Sequence, residues 1–222
     1  MERNSFAVDT HTCWNCHHTV DSGDKCPTCH KILPMVEDVD YFSFLGFKKQ
    51  LNLDLDELEH RFYELSREYH PDYYSNGSEI EKEISLERAS FLNSAYQILK
   101  DPIQRAKYLL QLEWGEVSEE KKKIPPEILM EVMELQEKLV ECNSETDPEK
   151  KKKCEAEIEQ IKSGLLKKMD DLNAQLKNLF IKWDENVLNN PSNESKQEIL
   201  KELNKNLSIR AYLNTLLSTI NK

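Results

Sequence analysis

The sequence predicts an all-α protein, in which a small cysteine-held module precedes a helical hairpin and a C-terminal antiparallel three-helix bundle. Three observations carry that expectation. The 222 residues include only five glycines. Apolar residues recur at intervals of three and four over long stretches, the period of a helix with one buried face. Four of the six cysteines fall in two close pairs near the N-terminus. The net charge of −11 argues against nucleic acid and anionic membrane as partners, because both are held by clustered cations. No apolar run approaches the ~20 residues that cross a bilayer. Residues Met1 to Phe6 show neither a signal peptide nor an Arg-rich transit peptide. The expected location is therefore the cytoplasm, with the mitochondrial matrix as the alternative.

The first element is a metal-binding module over residues 10–33. Cys13-Trp14-Asn15-Cys16 and Cys26-Pro27-Thr28-Cys29 are two knuckles joined by a short polar loop. Each knuckle turns two thiolates inward, and two knuckles complete a tetrahedral four-sulfur site. The expected occupant is one structural zinc ion held by Cys13, Cys16, Cys26 and Cys29. A segment this short has no core of its own, so metal would supply its folding free energy. The gap between the pairs is short for a zinc ribbon, which keeps an iron centre open, and four free thiols are the plainest alternative. His11, His17, His18 and His30 read as solvated loop residues beside the site, the alternative being that one of them substitutes as a ligand.

Residues 39–113 form the second part. A short apolar helix begins at Tyr41-Phe42 and stops near Gly46. A second runs from an Asp54 cap to Tyr69, with acidic residues in its first turn where the helix dipole favours them. A third is expected from about Glu79 to Lys100, its inner face being Ile84, Phe91, Leu92, Ala95, Ile98 and Leu99. Asp101-Pro102 opens a fourth that carries Arg105, Ala106, Leu109 and Leu110. Between the second and third helices stands His70-Pro71-Asp72. Proline disfavours helical geometry at the preceding residue and has no backbone N–H, so the helix must end there. Nothing in the helical pattern asks for His70 or Asp72, although a helix cap and a turn former would be their plainest roles.

A breaker-rich connector follows over residues 114–126, from Trp114-Gly115 to Pro125-Pro126. Runs of lysine at 121–123 and 150–153 read as solvated surface, with phosphate binding as the alternative. Three helices fill residues 127–221. The first, about Glu127 to Cys142, has Ile128, Val132, Leu135 and Leu139 on its seam. The second runs from near Pro148 to Trp183 with a stripe from Cys154 to Trp183, and a bend is expected near Gly164. The third carries Ile199, Leu203, Leu207, Tyr212, Leu213 and Leu217. Off the first helix's seam lie Leu129, Met130 and Met133, continued by Glu134, Glu137 and Glu141. Apolar residues edged with carboxylates suit a partner surface; a wide core face is the competing account.

Cys-Trp-x-Cys and Cys-Pro-x-Cys, then Tyr69-His70-Pro71-Asp72-Tyr73-Tyr74, Ala95-Tyr96 and Arg105-Ala106-x-Tyr108-Leu109-Leu110, then a bundle, together resemble HscB-type J-domain co-chaperones of iron–sulfur cluster biogenesis. The resemblance implies a J-domain whose His70, Pro71 and Asp72, with Arg61 and Arg67 before them, engage a DnaK/HscA-class chaperone and activate its ATPase. The co-chaperone itself hydrolyses nothing. It further implies that the bundle binds an IscU-type scaffold protein through Leu129, Met130, Met133, Glu134, Glu137 and Glu141, with Tyr212 on the last helix. Two departures stand out. The second helix carries Asp54, Asp56, Glu57, Glu59, Glu64 and Glu68 against two arginines, and Tyr73 stands where many J-domains have lysine. Both point to a specialised chaperone partner. The functional alternatives are a general J-protein that loads unfolded clients and a thiol–disulfide enzyme.

Overall fold

The computed structural model describes residues 11–21, 23–36, 38–115, 126–189 and 193–220, and the lysine run at 121–123 lies outside them. The all-α expectation holds. A two-stranded antiparallel ribbon, β1 (His11–Thr12) with β2 (Thr19–Val20), is followed by α1 (Tyr41–Phe44), α2 (Leu55–Tyr69), a 3₁₀ turn (Pro71–Tyr74), α3 (Glu79–Lys100), α4 (Pro102–Trp114), α5 (Pro126–Ser144), α6 (Pro148–Asn189) and α7 (Asn193–Ile220).

The chain divides into two compact units, residues 1–48 with 53–101 and residues 49–52 with 102–222. In the first, α1 ends because Gly46 takes φ +81°, a backbone state that costs a glycine nothing. Asp54 caps α2 by accepting the N–H groups of Asp56 and Glu57. Ser78 and Glu81 form a reciprocal capping box at the start of α3, which satisfies two otherwise orphaned donors. Leu58, Leu65 and Tyr69 of α2 are buried, as are Ile84, Leu92, Ala95 and Leu99 of α3. Aromatic rings complete the layer: Phe62 stacks on Tyr96 at 4.3 Å, and Phe91 takes Tyr41 and Phe44 edge-on, each at 4.9 Å.

The second unit is the bundle. Leu135 of α5, Leu165, Met169 and Leu172 of α6, and Leu213 and Leu216 of α7 form one core cluster. Farther along, Leu176, Leu179 and Trp183 are buried with Ile199, Leu203 and Leu207. The expected stripe on α6 is therefore the seam over most of its length, while Cys154, Ile158 and Ile161 are only half-buried. The helix runs six residues past Trp183, to Asn189, and is α-helical throughout, Gly164 included. Its 42 residues span about 63 Å at helical rise.

The bundle also takes in pieces from earlier in the chain. Helix α4 packs on α7, where Trp114 donates its indole N–H to Gln197 at 2.9 Å and Glu113 pairs with Lys196 at 2.5 Å. Residues 49–52 are held by α6 and α4. The Trp183 indole donates to the Lys49 carbonyl at 2.8 Å, and buried Arg105 donates to the Leu51 carbonyl at 3.0 Å. Gly115, at φ +70°, closes α4 by donating to the Gln111 carbonyl.

Candidate functional site

The fold places three groups of residues that the sequence singles out. The first is the cysteine quartet. Both knuckles repeat one backbone pattern: Cys13 N–H donates to the His18 carbonyl and His17 N–H to the Cys13 carbonyl. In the second knuckle Cys26 N–H donates to the Lys31 carbonyl and His30 N–H to the Cys26 carbonyl. His17 and His30 each sit at φ 58°, a left-handed state rare for residues with a Cβ. Tight turns of this kind aim both thiols of a pair at one point.

The four sulfur atoms lie within 4.8 Å of one another, with Cys13–Cys29 and Cys16–Cys26 each at 3.6 Å. A tetrahedron with metal–sulfur bonds of about 2.3 Å has sulfur–sulfur edges of about 3.8 Å, so the quartet fits a metal ion. A backbone N–H from Lys31 is the main influence drawing the Cys29 thiol down to about 6. At Cys16 a backbone hydrogen bond at His18 is the largest single influence and lowers the thiol, but burial and three thiol neighbours together push it up to about 12. Four thiols this close resist ionising together, and a bound dication relieves that repulsion. His17, His18 and His30 are exposed and stand outside the ligand set; the His11 side chain is not among those described.

The second group is the hinge between α2 and α3. His70 leaves helical geometry at φ −60°, ψ 126° and caps both α2 and the 3₁₀ turn. Its Nδ1 accepts the Asp72 N–H at 3.3 Å and lies 3.6 Å from an Asp72 carboxylate oxygen. The side chains remain 51% and 91% exposed respectively. They therefore shape the turn and still face solvent. Arg61 and Arg67 lie on the same helix, both exposed, and Arg61 is bonded to Glu64 at 3.1 Å.

The third group is the outer face of α5. Met130 is 62% exposed and Met133 57%, with Glu134, Glu137 and Glu141 exposed beyond them. Leu135, next along the chain, is buried in the seam. The side chain of Leu129 lies outside the described residues. Tyr212 is half-buried and packs against the bundle core. Beside Glu134, Gly164 leaves a shallow groove floored by Leu135, Ile161 and Leu165.

Helical periodicity does not reveal Asp24 and Arg88, which tie the cysteine module to Tyr69. Arg88 is 3% exposed and donates to the Leu33 carbonyl at 2.8 Å and to Asp24 at 2.7 Å. The available signal was a cation between Ile84 and Leu92 on an apolar stripe, because a buried charge requires a partner.

The family model of the DnaJ domain matches residues 40–108, and that of the HSCB C-terminal oligomerisation domain matches residues 124–209. The iron–sulfur cluster co-chaperone protein HscB of Mus musculus is 31% identical over 177 residues, 78% of this chain and 71% of that protein. The Homo sapiens protein of the same name is 35% identical over 138 residues, 60% of this chain and 59% of its own length. The crystal structure of human co-chaperone protein HscB superposes with a TM-score of 0.65 at 26% identity, covering 95% of this chain and 97% of that one. With a J-type hinge, an HscB-type bundle and a relative aligned over most of both chains, this protein belongs to the HscB family of iron–sulfur cluster co-chaperones.

Proposed function

We propose that the chain is a two-handed adaptor, with a J-domain over residues 39–113 and a cargo-binding bundle over 127–221, joined by the connector at 114–126. His70, Pro71 and Asp72, assisted by Arg61 and Arg67, stimulate ATP hydrolysis by a DnaK/HscA-class chaperone. The adaptor supplies no ATPase of its own. The exposed imidazole and carboxylate offer polar contacts at the tip of a fixed turn, which is what docking on another protein requires. The metal of the module at 10–33 is one structural zinc ion, since four thiolates form a closed, soft donor set with no position for a substrate. No described helix is long and apolar enough to cross a membrane; the cytoplasm is the compartment proposed, with the mitochondrial matrix as alternative.

The bundle takes an IscU-type scaffold on the outer face of α5, using Leu129, Met130, Met133, Glu134, Glu137 and Glu141, with Tyr212 contributing from α7. One observation carries this: two methionines more than half exposed, edged by three exposed carboxylates, on a helix whose seam is already filled by Leu135. Methionine adapts to irregular partner surfaces, and the carboxylates favour a basic rim opposite. Titrating the chain with an IscU-type scaffold, with chaperone ATP turnover as readout, is the test. Saturable binding that raises stimulated turnover is expected; binding of denatured clients without scaffold binding would instead indicate a general J-protein.

A further inference from the structure

The cysteine module touches the hinge on both of its stems. On the α2 side, Asp24 accepts the Tyr69 hydroxyl at 2.5 Å through one carboxylate oxygen and Arg88 at 2.7 Å through the other. Tyr69 immediately precedes His70 and is 1% exposed, and its carbonyl accepts the Ser85 hydroxyl at 2.8 Å. Arg88 lies over the Tyr69 ring at 5.1 Å. Lys25 pairs with Glu68 at 3.1 Å, and the Glu68 carbonyl takes the Tyr74 hydroxyl from within the turn. On the α3 side, Lys31 reaches Glu81, the residue that closes the capping box with Ser78. Asp24, Lys25 and Lys31 all lie on or beside the second knuckle, so their positions depend on the geometry that the cysteines impose.

We propose that Asp24 is a positioning residue that makes the conformation of the His70–Asp72 hinge depend on metal in the four-cysteine site. The chain of contacts is short: knuckle backbone to Asp24 carboxylate, Asp24 to the Tyr69 hydroxyl and the Arg88 guanidinium, Tyr69 to His70. Burial, reinforced by Asp24, pushes the Tyr69 hydroxyl well above the ordinary phenol range, so it stays a donor to that carboxylate. Arg88 also bonds the carbonyls of Leu33, at the end of the module, and of Pro34 just after it, so a displaced knuckle loosens both partners at once. Without metal the module has little to hold its turns, having four cysteines and few apolar side chains as its core. The coupling rests on the proposed reading that a metal closes the quartet; its use to the protein rests on the reading that the hinge addresses a chaperone.

The test uses the full chain loaded with one equivalent of Zn(II), before and after chelation, as wild type and as Asp24→Ala. The amides of Tyr73, Ser75 and Gly77 are hydrogen-bonded within the turn, and their exchange reports on the hinge. In wild type, chelation should raise exchange at these amides about tenfold; Asp24→Ala should show that faster exchange with zinc still bound, and chelation should then add little. Should Asp24→Ala lose its zinc, Tyr69→Phe removes the same hydrogen bond from a position forty residues beyond Cys29 and should give the same exchange with zinc retained. In chaperone assays Asp24→Ala should lower the maximal stimulated rate while the half-maximal concentration holds, whereas partial unfolding would raise that concentration alone. Equal hinge exchange in wild type and both variants, or equal acceleration by chelation in wild type and Asp24→Ala, overturns the proposal. Hydrogen exchange needs no chaperone, so a hinge that responds as stated in a chain that stimulates no DnaK-class ATPase would sink the proposed function and leave this coupling standing.

Discussion

Asp184 holds Asn52 twice: one carboxylate oxygen accepts both the backbone N–H and the side-chain amide of Asn52, each at 2.8 Å. The other oxygen takes the N–H of Leu51 at 2.6 Å, and Leu51 is 0% exposed. Replacing Asp184 by alanine leaves three donors without this acceptor, at least one of them beside a buried side chain. The expected loss is about 1–3 kcal/mol of unfolding free energy, read as a lower urea midpoint with an unchanged slope. An unchanged midpoint would mean that water replaces the carboxylate without penalty.

His70→Gln and Asp72→Ala should abolish stimulation of chaperone ATPase while scaffold binding persists. Both side chains are at least half exposed, so unfolding stability should move by no more than about 0.5 kcal/mol. Stimulation assays beside thermal melts separate the two effects. Simultaneous loss of stimulation and scaffold binding would point to misfolding instead.

On α5, neighbouring residues should behave oppositely. Met130→Ala with Met133→Ala should weaken scaffold affinity by a few kcal/mol, roughly 2–4, as truncated anchors do, with little change in melting. Leu135→Ala, at 1% exposure, should instead cost about 2–5 kcal/mol of stability. Calorimetric titration and denaturant unfolding of both variants check the pair. A methionine variant that melts early but binds normally would place those side chains in the core.

The Lys31–Glu81 pair should leave a signature in acid. Lys31 is the main cause that holds the Glu81 carboxyl below its ordinary value of 4.5, burial opposing it and Ser78 assisting. A carboxylate whose folded value is depressed contributes stability above its unfolded value and loses it as pH falls through the folded one. Between about pH 7 and pH 3, urea midpoints of wild type should therefore fall more steeply than those of Lys31→Ala. Parallel curves would show that the pair contributes nothing to acid stability.

Much of this molecule was legible because its signals are local or periodic. The helices follow from apolar spacing, the stops at Gly46 and Gly115 from residues that tolerate positive φ, and the quartet from paired cysteines. What stayed hidden are contacts between segments with no shared period. Asp24 and Asp184 are ordinary acidic residues in sequence, and only folding shows that each satisfies donors 45 to 133 residues away. The α6 boundary illustrates this further. Residues 184–189 carry no full apolar stripe, so periodicity ends at Trp183, yet the helix continues and uses its first extra residue to grip the backbone at 51–52.

The interleaving of the chain between its two units has a consequence for how the protein is made. Residues 49–52 leave the ribosome long before Trp183 and Asp184, which secure them. At about 5–20 residues per second, a gap of roughly 130 residues means several seconds of waiting. For the same reason a fragment cut at residue 127 is no self-sufficient half, because it discards α4 and the 49–52 segment and uncovers the surfaces they occupy. Dissecting this co-chaperone by point substitution will therefore report on its parts more faithfully than truncation can.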